Sequence, residues 1–263
     1  MENQYLLPSC MSQPIYMPWN IHDHHYSAHT LSDIFLNDIN VTQITPNTAT
    51  KTEQETRGQA SSQKWHIERC LRLHASKVGA ICKTQDGQKM AENLVHFVHV
   101  KAAAISHGRL FESTAIKQYE KLYDVRIQVG IGINVSLEKT YLACSPDGII
   151  DSETLIEVKC PYSARSSVIT PETVQYLYLN EHTGLLALYK THHYYYQVQA
   201  QLFVTKKSVC LLVIYTFKDL VVIQINRDDE FIDAMIAQLD LFFHNYFRPA
   251  LLKKYFYKTC TLC

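Results

Sequence analysis

Polar and apolar positions change period several times along the chain. Trp65, Ile67, Cys70, Leu71 and Leu73 alternate with Lys64, Glu68, Arg69 and Arg72 at helical spacing. Ser76 is placed to cap a second helix through Val78, Ile81 and Cys82. After a polar turn at 84–88 a helix is expected to about residue 100. A better defined one is expected over 108–123, where Leu110, Phe111, Ala115, Ile116, Tyr119 and Leu122 recur at helical spacing. Residues 125–135 read as a strand. Two short apolar runs, 148–150 and 155–158, flank a polar tip at 151–154, the pattern of a hairpin. Residues 142–144 lead into it and Pro161 ends it. Helices are expected over 171–188 and 194–202. The continuous apolar runs 209–217 and 221–225 predict a strand and its partner in a buried sheet. Asp228 or Asp229 caps a last helix, with Phe231, Met235, Leu239, Phe242 and Tyr246 on one side, and Pro249 stops it. Residues 1–52 carry Pro8, Pro14, Pro18 and Pro46 and read as an irregular arm packed on the domain at its apolar pieces, 15–19 and 31–39. The pattern is that of an α/β domain.

The hairpin carries the chemistry. Asp147 enters its first strand and Glu157 lies near the end of its second, ten residues on. The turn brings both carboxylates to one end. Glu157 and Lys159, two apart on a strand, share a face. Two carboxylates and an ammonium converging on one point suit a hard cation such as Mg²⁺, which takes few protein carboxylates and accepts phosphate oxygens. The plainer reading is a surface hairpin with an ordinary Glu/Lys pair. A capped helix start at Ser76 beside Arg69 and Arg72 would offer a phosphate free N–H groups, a dipole and guanidinium. On composition alone the same stretch is an amphipathic helix with a solvated basic face. Glu112 sits at the rim of an apolar helix stripe, a position that matters only if the helix packs beside the hairpin. Ser163 to Arg165 form a polar loop after the hairpin, placed to hold a phosphate. Gln197 is placed to buttress Lys159, or is simply a polar helix position.

Composition narrows the picture. The chain has 263 residues, enough for one sizeable domain with an arm, and its 25 basic and 25 acidic residues balance. Any nucleic-acid contact must therefore come from a local patch. No apolar run is long enough to span a membrane, and residues 1–10 lack the charged and apolar regions of a secretory signal. Eight scattered cysteines, with Cys144, Cys160 and Cys210 inside apolar runs, fit a reducing compartment. His22, His24, His25 and His29, or the terminal pair Cys260 and Cys263, are weak zinc candidates without a second pair at finger spacing.

Taken together, Trp65 with Arg69 and Ala75-Ser76, Gly108 with Glu112, the run from Ala143 to Gly148, Glu157-Val158-Lys159-Cys160-Pro161 with Arg165, and Gln197-Val198-Gln199 resemble, in order and spacing, a known family. It is the lambda-exonuclease-like, YqaJ-type viral recombinase family of the PD-(D/E)XK nucleases. Thr56-Arg57-Gly58-Gln59 and the three tyrosines before Gln197 resemble its eukaryotic, mobile-element-associated branch. The resemblance covers roughly 56–249. It implies a restriction-endonuclease-like core, a mixed central β-sheet flanked by helices, over 53–250, with 251–263 as a tail. It implies that Asp147, Glu157 and the Val158 carbonyl bind Mg²⁺ or Mn²⁺, that Lys159 activates or orients the water, and that Glu112 completes the site through a second metal or a water. Gln197 would support the site, Arg69 and Ser76 would hold the 5′-phosphate of a DNA end, and Arg165 would contact the strand near the cut. His74 stands where the family usually has threonine, and Ala200 where the eukaryotic branch tends to have glycine.

The activity implied is 5′→3′ degradation of one strand of duplex DNA, leaving a 3′ overhang for a single-strand annealing partner in recombination or repair, with a ring-shaped homo-oligomer as the form suited to processivity. A nicking or structure-selective endonuclease and an idle DNA-binding module are the alternatives. The expected location is inside the cell, in nucleus or cytoplasm.

Overall fold

The computed structural model of the protein describes residues 41, 43–96 and 102–256. The histidine cluster, most of the N-terminal arm, Cys260, Cys263 and the end of the helix expected to reach residue 100 lie outside the described residues. In chain order the elements are α1 (Pro46–Glu55), α2 (Gln63–Leu71), β1 (Leu73–His74), α3 (Ala75–Cys82), α4 (Gly87–Leu94), α5 (Ala103–Tyr123), β2 (Gln128–Val129), β3 (Asn134–Val135), β4 (Leu142–Cys144), β5 (Gly148–Ile149), β6 (Thr154–Lys159), β7 (Leu177–Leu179), β8 (Leu186–Leu188), α6 (His193–Thr205), β9 (Val209–Tyr215), β10 (Leu220–Asn226), α7 (Asp229–Phe242) and α8 (Arg248–Leu251).

Five strands form a mixed sheet in the order β10-β9-β6-β5-β2, in which only β6 and β9 run parallel. β6 is covered on both faces, which is why its middle residues, Leu155 to Val158, are all buried. Leu155 packs with Val198 and Leu202 of α6, whereas Ile156 and Val158 pack with Ala115, Ile116 and Tyr119 of α5. The period of two then puts Glu157 and Lys159 on the α6 side. A second sheet, β1-β4-β3, lies beside the first, and β7 with β8 makes a separate hairpin. α6 is enclosed from Gln197 to Val204, with Ala200, Phe203 and Val204 facing a cluster built from α3, α4 and α7. A helix buried all round has no polar face to give away, so its glutamines must find partners inside. Cys144 and Cys210 are buried free thiols and Cys160 is a half-buried one. Among the described residues no helix is long and apolar enough to cross a membrane.

Several elements differ from expectation. Residues 46–52 are helical: Pro46 follows Thr45, whose capping box with Thr48 starts α1. The strand expected over 125–135 is two, β2 and β3, in different sheets. Between them Gly132 runs so close to α1 that a Cβ would lie 1.9 Å from the Glu53 carbonyl. The helix expected over 171–188 is replaced by turns and the β7–β8 hairpin. Asn180 Oδ1 accepts from His182 N at 2.9 Å and Gly184 takes φ +68°, so local turn chemistry overrides the apolar spacing. Ser76 does not cap α3: His74 is the N-cap, with no side-chain bond to the helix backbone, and Ser76 is the second residue of the helix. Asp228 does cap α7, accepting from Phe231 N at 3.2 Å. Pro249 does not stop the last helix. A π turn at Phe243–Phe247 precedes α8, and Pro249 sits in its first turn, where the missing N–H costs nothing.

Candidate active site

The hairpin register sets the centre. Gly148 pairs with Ile156 and Ile149 with Leu155. The tip is tied by Asp151 Oδ1, which accepts from Glu153 N and Thr154 N at 2.8 Å each. Asp147 therefore meets the end of β6, where its Oδ2 accepts from Val158 N at 2.7 Å.

Glu157 is 3% exposed, and its carboxylate is held from three directions. Oε1 accepts from Lys159 Nζ and from Gln197 Nε2, both at 2.5 Å, and Oε2 accepts from Gln201 Nε2 at 2.7 Å. Gln197 Oε1 accepts from Lys159 at 3.3 Å, so lysine, glutamate and glutamine close a ring of bonds. Lys159 Nζ also stands 4.5 Å from the Tyr194 ring centroid. Burial works against its ammonium, but the charges of Glu157 and Asp147 outweigh it and hold the pKa above the ordinary lysine value.

Glu112 comes from α5. Burial and then the Glu157 charge raise its pKa, while Lys159 and Arg109 pull it back. Asp147 is pushed well up by burial, Glu157 and Glu112. The Glu157 charge thus raises both of its carboxylate neighbours, which marks a site short of positive charge. Among the described residues no three acidic, histidine or cysteine side chains close into a coordination site by themselves. Asp147, Glu157 and Glu112 instead offer a sparse, all-oxygen donor set, the kind that suits a hard cation retaining waters. Asp147 and Glu112 line one open cleft of about 340 Å³.

Arg69 and Ser76 are brought together, with Arg69 Nη2 donating to Ser76 Oγ at 3.2 Å. The guanidinium stacks 4.4 Å from the Trp65 ring centroid, and Trp65 Nε1 reaches Ser145 Oγ at 3.4 Å, two residues before Asp147. Burial lowers Arg69 to about 10, and it remains charged. Arg72 is not part of this pocket: it is buried, paired with Glu68 and bonded to the Thr140 carbonyl at 3.2 Å. Arg165 lies 4.2 Å from the Tyr162 ring centroid and donates to the Tyr162 carbonyl at 2.7 Å.

Four residues were given no role by sequence reasoning. Gln201 follows Gln197 by one helical turn, a spacing that marks a shared face. Tyr194 precedes Gln197 by three. Arg109 precedes Glu112 by three, and its charge is felt by both Glu112 and Arg69. His74 Nδ1 lies 3.2 Å from Ser76 Oγ, and its buried Nε2 has no partner. Gln199, by contrast, turns away and binds the backbone of Asn226 and Asp228.

Comparison with known proteins agrees with this architecture. An alkaline nuclease of Orgyia pseudotsugata multicapsid polyhedrosis virus is 23% identical over 207 residues, 69% of this chain and 46% of the relative. The chain thus spans about half the length of that relative. The crystal structure of an alkaline exonuclease from Laribacter hongkongensis superposes with a TM-score of 0.59 at 23% identity, covering 77% of this chain and all of that one. A phage-related exonuclease from Haemophilus somnus gives 0.54 at 13% identity over 70% of this chain and 96% of its own. At these identities the structures establish the fold alone, a mixed α/β core with helices flanking mixed sheets. Residues 64–208, more than half of the chain, match the model of the YqaJ-like viral recombinase domain, and to that family the protein belongs.

Proposed function

We propose that the protein is a divalent-metal-dependent DNA exonuclease that degrades one strand of linear duplex DNA from its 5′ end and leaves a 3′ single strand. The observation that carries the proposal is the ring of bonds joining Glu157, Lys159 and Gln197 beside Asp147 and Glu112. Membership of the family, and relatives named as nuclease and exonucleases, support it. Mg²⁺, or Mn²⁺ in its place, would be held by Asp147, Glu157 and the Val158 carbonyl, with Glu112 completing the set. Such a cation lowers the pKa of water and neutralises phosphate charge.

The chain's own groups do the positioning. Gln197 and Gln201 fix both oxygens of Glu157, so the carboxylate needs no reorganisation. Lys159, held by Glu157 and Gln197, would activate or orient the attacking water and stabilise phosphate charge. Arg69, Ser76 and the uncapped N–H groups of α3 would receive a terminal 5′-phosphate, a charged group that a helix start and a guanidinium both favour. Arg165 would contact the strand near the cut. The nuclease unit is assigned to 53–250, with α1 as a buttress ahead of it. A single-strand annealing protein as partner and a ring of copies are the assemblies that suit this product.

The test is Mg²⁺-dependent digestion of linear duplex with 5′-phosphate or 5′-hydroxyl ends, beside closed circles. Faster loss of phosphorylated linear duplex, with circles intact, is expected. Nicking of circles without digestion from ends would replace the exonuclease by an endonuclease.

A further inference from the structure

The cleft that holds Glu112 and Asp147 has a wall with no assigned role. It is formed by Arg57, Gly58 and Gln59, and it continues along α5 to Lys117 and Glu120. The segment is mounted firmly. Glu53 Oε1 accepts from Gly132 N at 3.0 Å, Thr56 Oγ1 accepts from Ile133 N at 2.7 Å, and Gln59 Nε2 donates to the Ile131 carbonyl at 3.0 Å. Gln59 holds this place at φ +44°, a left-handed conformation that a residue with a side chain adopts at a cost.

On this mount Arg57 is exposed and pre-oriented. Its Nε donates to Glu53 Oε1 and Oε2 at 3.0 and 3.1 Å, and Nη2 donates to Oε2 at 2.9 Å. Among the described residues Nη1 has no protein partner. Lys117, exposed on α5, makes no ion pair among the described residues. Of the facing acids, Glu120 accepts from Ile127 N at 2.9 Å and Asp147 from Val158 N at 2.7 Å, and Glu112 lines the same cleft. Two cations, Lys117 and the Glu53-held Arg57, thus flank three carboxylates, Glu112, Asp147 and Glu120, in one open cleft. That mixture disfavours a free anion, which the carboxylates repel. It suits a polyanion whose charge is shared between a divalent cation at the carboxylates and basic side chains beyond them.

We infer that Arg57 and Lys117 form a second phosphodiester subsite, which holds the backbone of the nucleic-acid strand on the side of the metal centre lined by α5 and the 57–59 segment. The inference rests on the nuclease reading and extends it. It assigns the 57–59 segment to substrate tracking, separate from the Arg69 and Ser76 pocket.

Binding of labelled, 5′-phosphorylated linear duplex is measured against salt in Mg²⁺, with Lys159→Ala as the background that prevents cleavage. The slope of log affinity against log salt should fall by about one for Arg57→Ala and by about one for Lys117→Ala, with weaker binding at every salt concentration. Arg57→Lys should recover most of the slope. Lys117→Ala lies on the exposed face of α5, so it tests the subsite even if Arg57→Ala loosens α1. Unchanged slopes in both variants, with tight binding by the background protein, would overturn the subsite and leave the nuclease reading standing. No duplex binding by the background protein at any salt would overturn both.

Discussion

Gln201→Met separates anchoring of the Glu157 carboxylate from stability of the fold. Gln201 is 1% exposed, and its Nε2 donates to Glu157 Oε2 at 2.7 Å, while its Oε1 is buried without a partner among the described residues. Replacing the amide by a thioether of similar length removes two opposing contributions. The lost hydrogen bond to a charged acceptor destabilises by about 1.5–3 kcal/mol. Removing the orphaned carbonyl returns about 1–3 kcal/mol of desolvation cost. The two nearly cancel, so net stability should change by less than about 1.5 kcal/mol, a Tm shift within about 5 °C for a domain of this size. Glu157 nevertheless loses the restraint on one oxygen. Residues that orient a ligating carboxylate are worth about 10–100-fold in metal affinity or activity. The assay is calorimetric unfolding beside Mn²⁺ titration of the same samples. A preserved Tm with Mn²⁺ affinity reduced about tenfold or more is expected. Unchanged Mn²⁺ affinity, or a stability loss above about 3 kcal/mol, would refute the reasoning.

Two further perturbations test the fold around the site. Burial, with the charges of Arg69 and Lys77, holds the His74 pKa well below 6.5 in the folded protein. Below pH 6.5 the unfolded chain therefore binds a proton that the folded state refuses, and stability falls by about 1.4 kcal/mol per pH unit until the folded pKa is reached. His74→Thr should remove that loss between pH 7.5 and 5.5 in urea unfolding; equal losses in both proteins would contradict it. Gly132→Ala puts a Cβ 1.9 Å from the Glu53 carbonyl and 2.7 Å from Thr56 Oγ1, so α1 must move away from β3. A loss of about 3 kcal/mol, or about 6–12 °C in Tm, is expected, and a shift under about 2 °C would show that α1 docks loosely.

Much of the centre was legible because its spacing is local. A hairpin with a polar tip fixes Asp147 against β6, and period two puts Glu157 and Lys159 on one face, so short-range rules suffice. Gln197 was legible as a polar residue on an apolar helix. Gln201 was not singled out, because its value depends on α6 being buried all round, a property of tertiary packing. Arg69 and Arg72 look alike on a helical wheel, yet one stacks on Trp65 and the other is sealed against Glu68; only the position of β4 and the Thr140 carbonyl distinguishes them. Where the reading failed, local chemistry was outweighed or missed. The Asn180 turn made a hairpin of 171–188, the α1 contact split 125–135, and a π turn carried the chain past Pro249.

The central claim is that Asp147, Glu157 and Lys159 form a hydrolytic centre. The most direct measurement is release of nucleotides from 5′-phosphorylated linear duplex in Mg²⁺, by the natural protein and by Lys159→Ala at equal concentration and with matched unfolding curves. The account predicts Mg²⁺-dependent release by the natural protein and a loss of at least about 100-fold in the variant, the effect of removing one well-placed charge-stabilising group. Equal release by both proteins, or release that persists without any divalent cation, would contradict it.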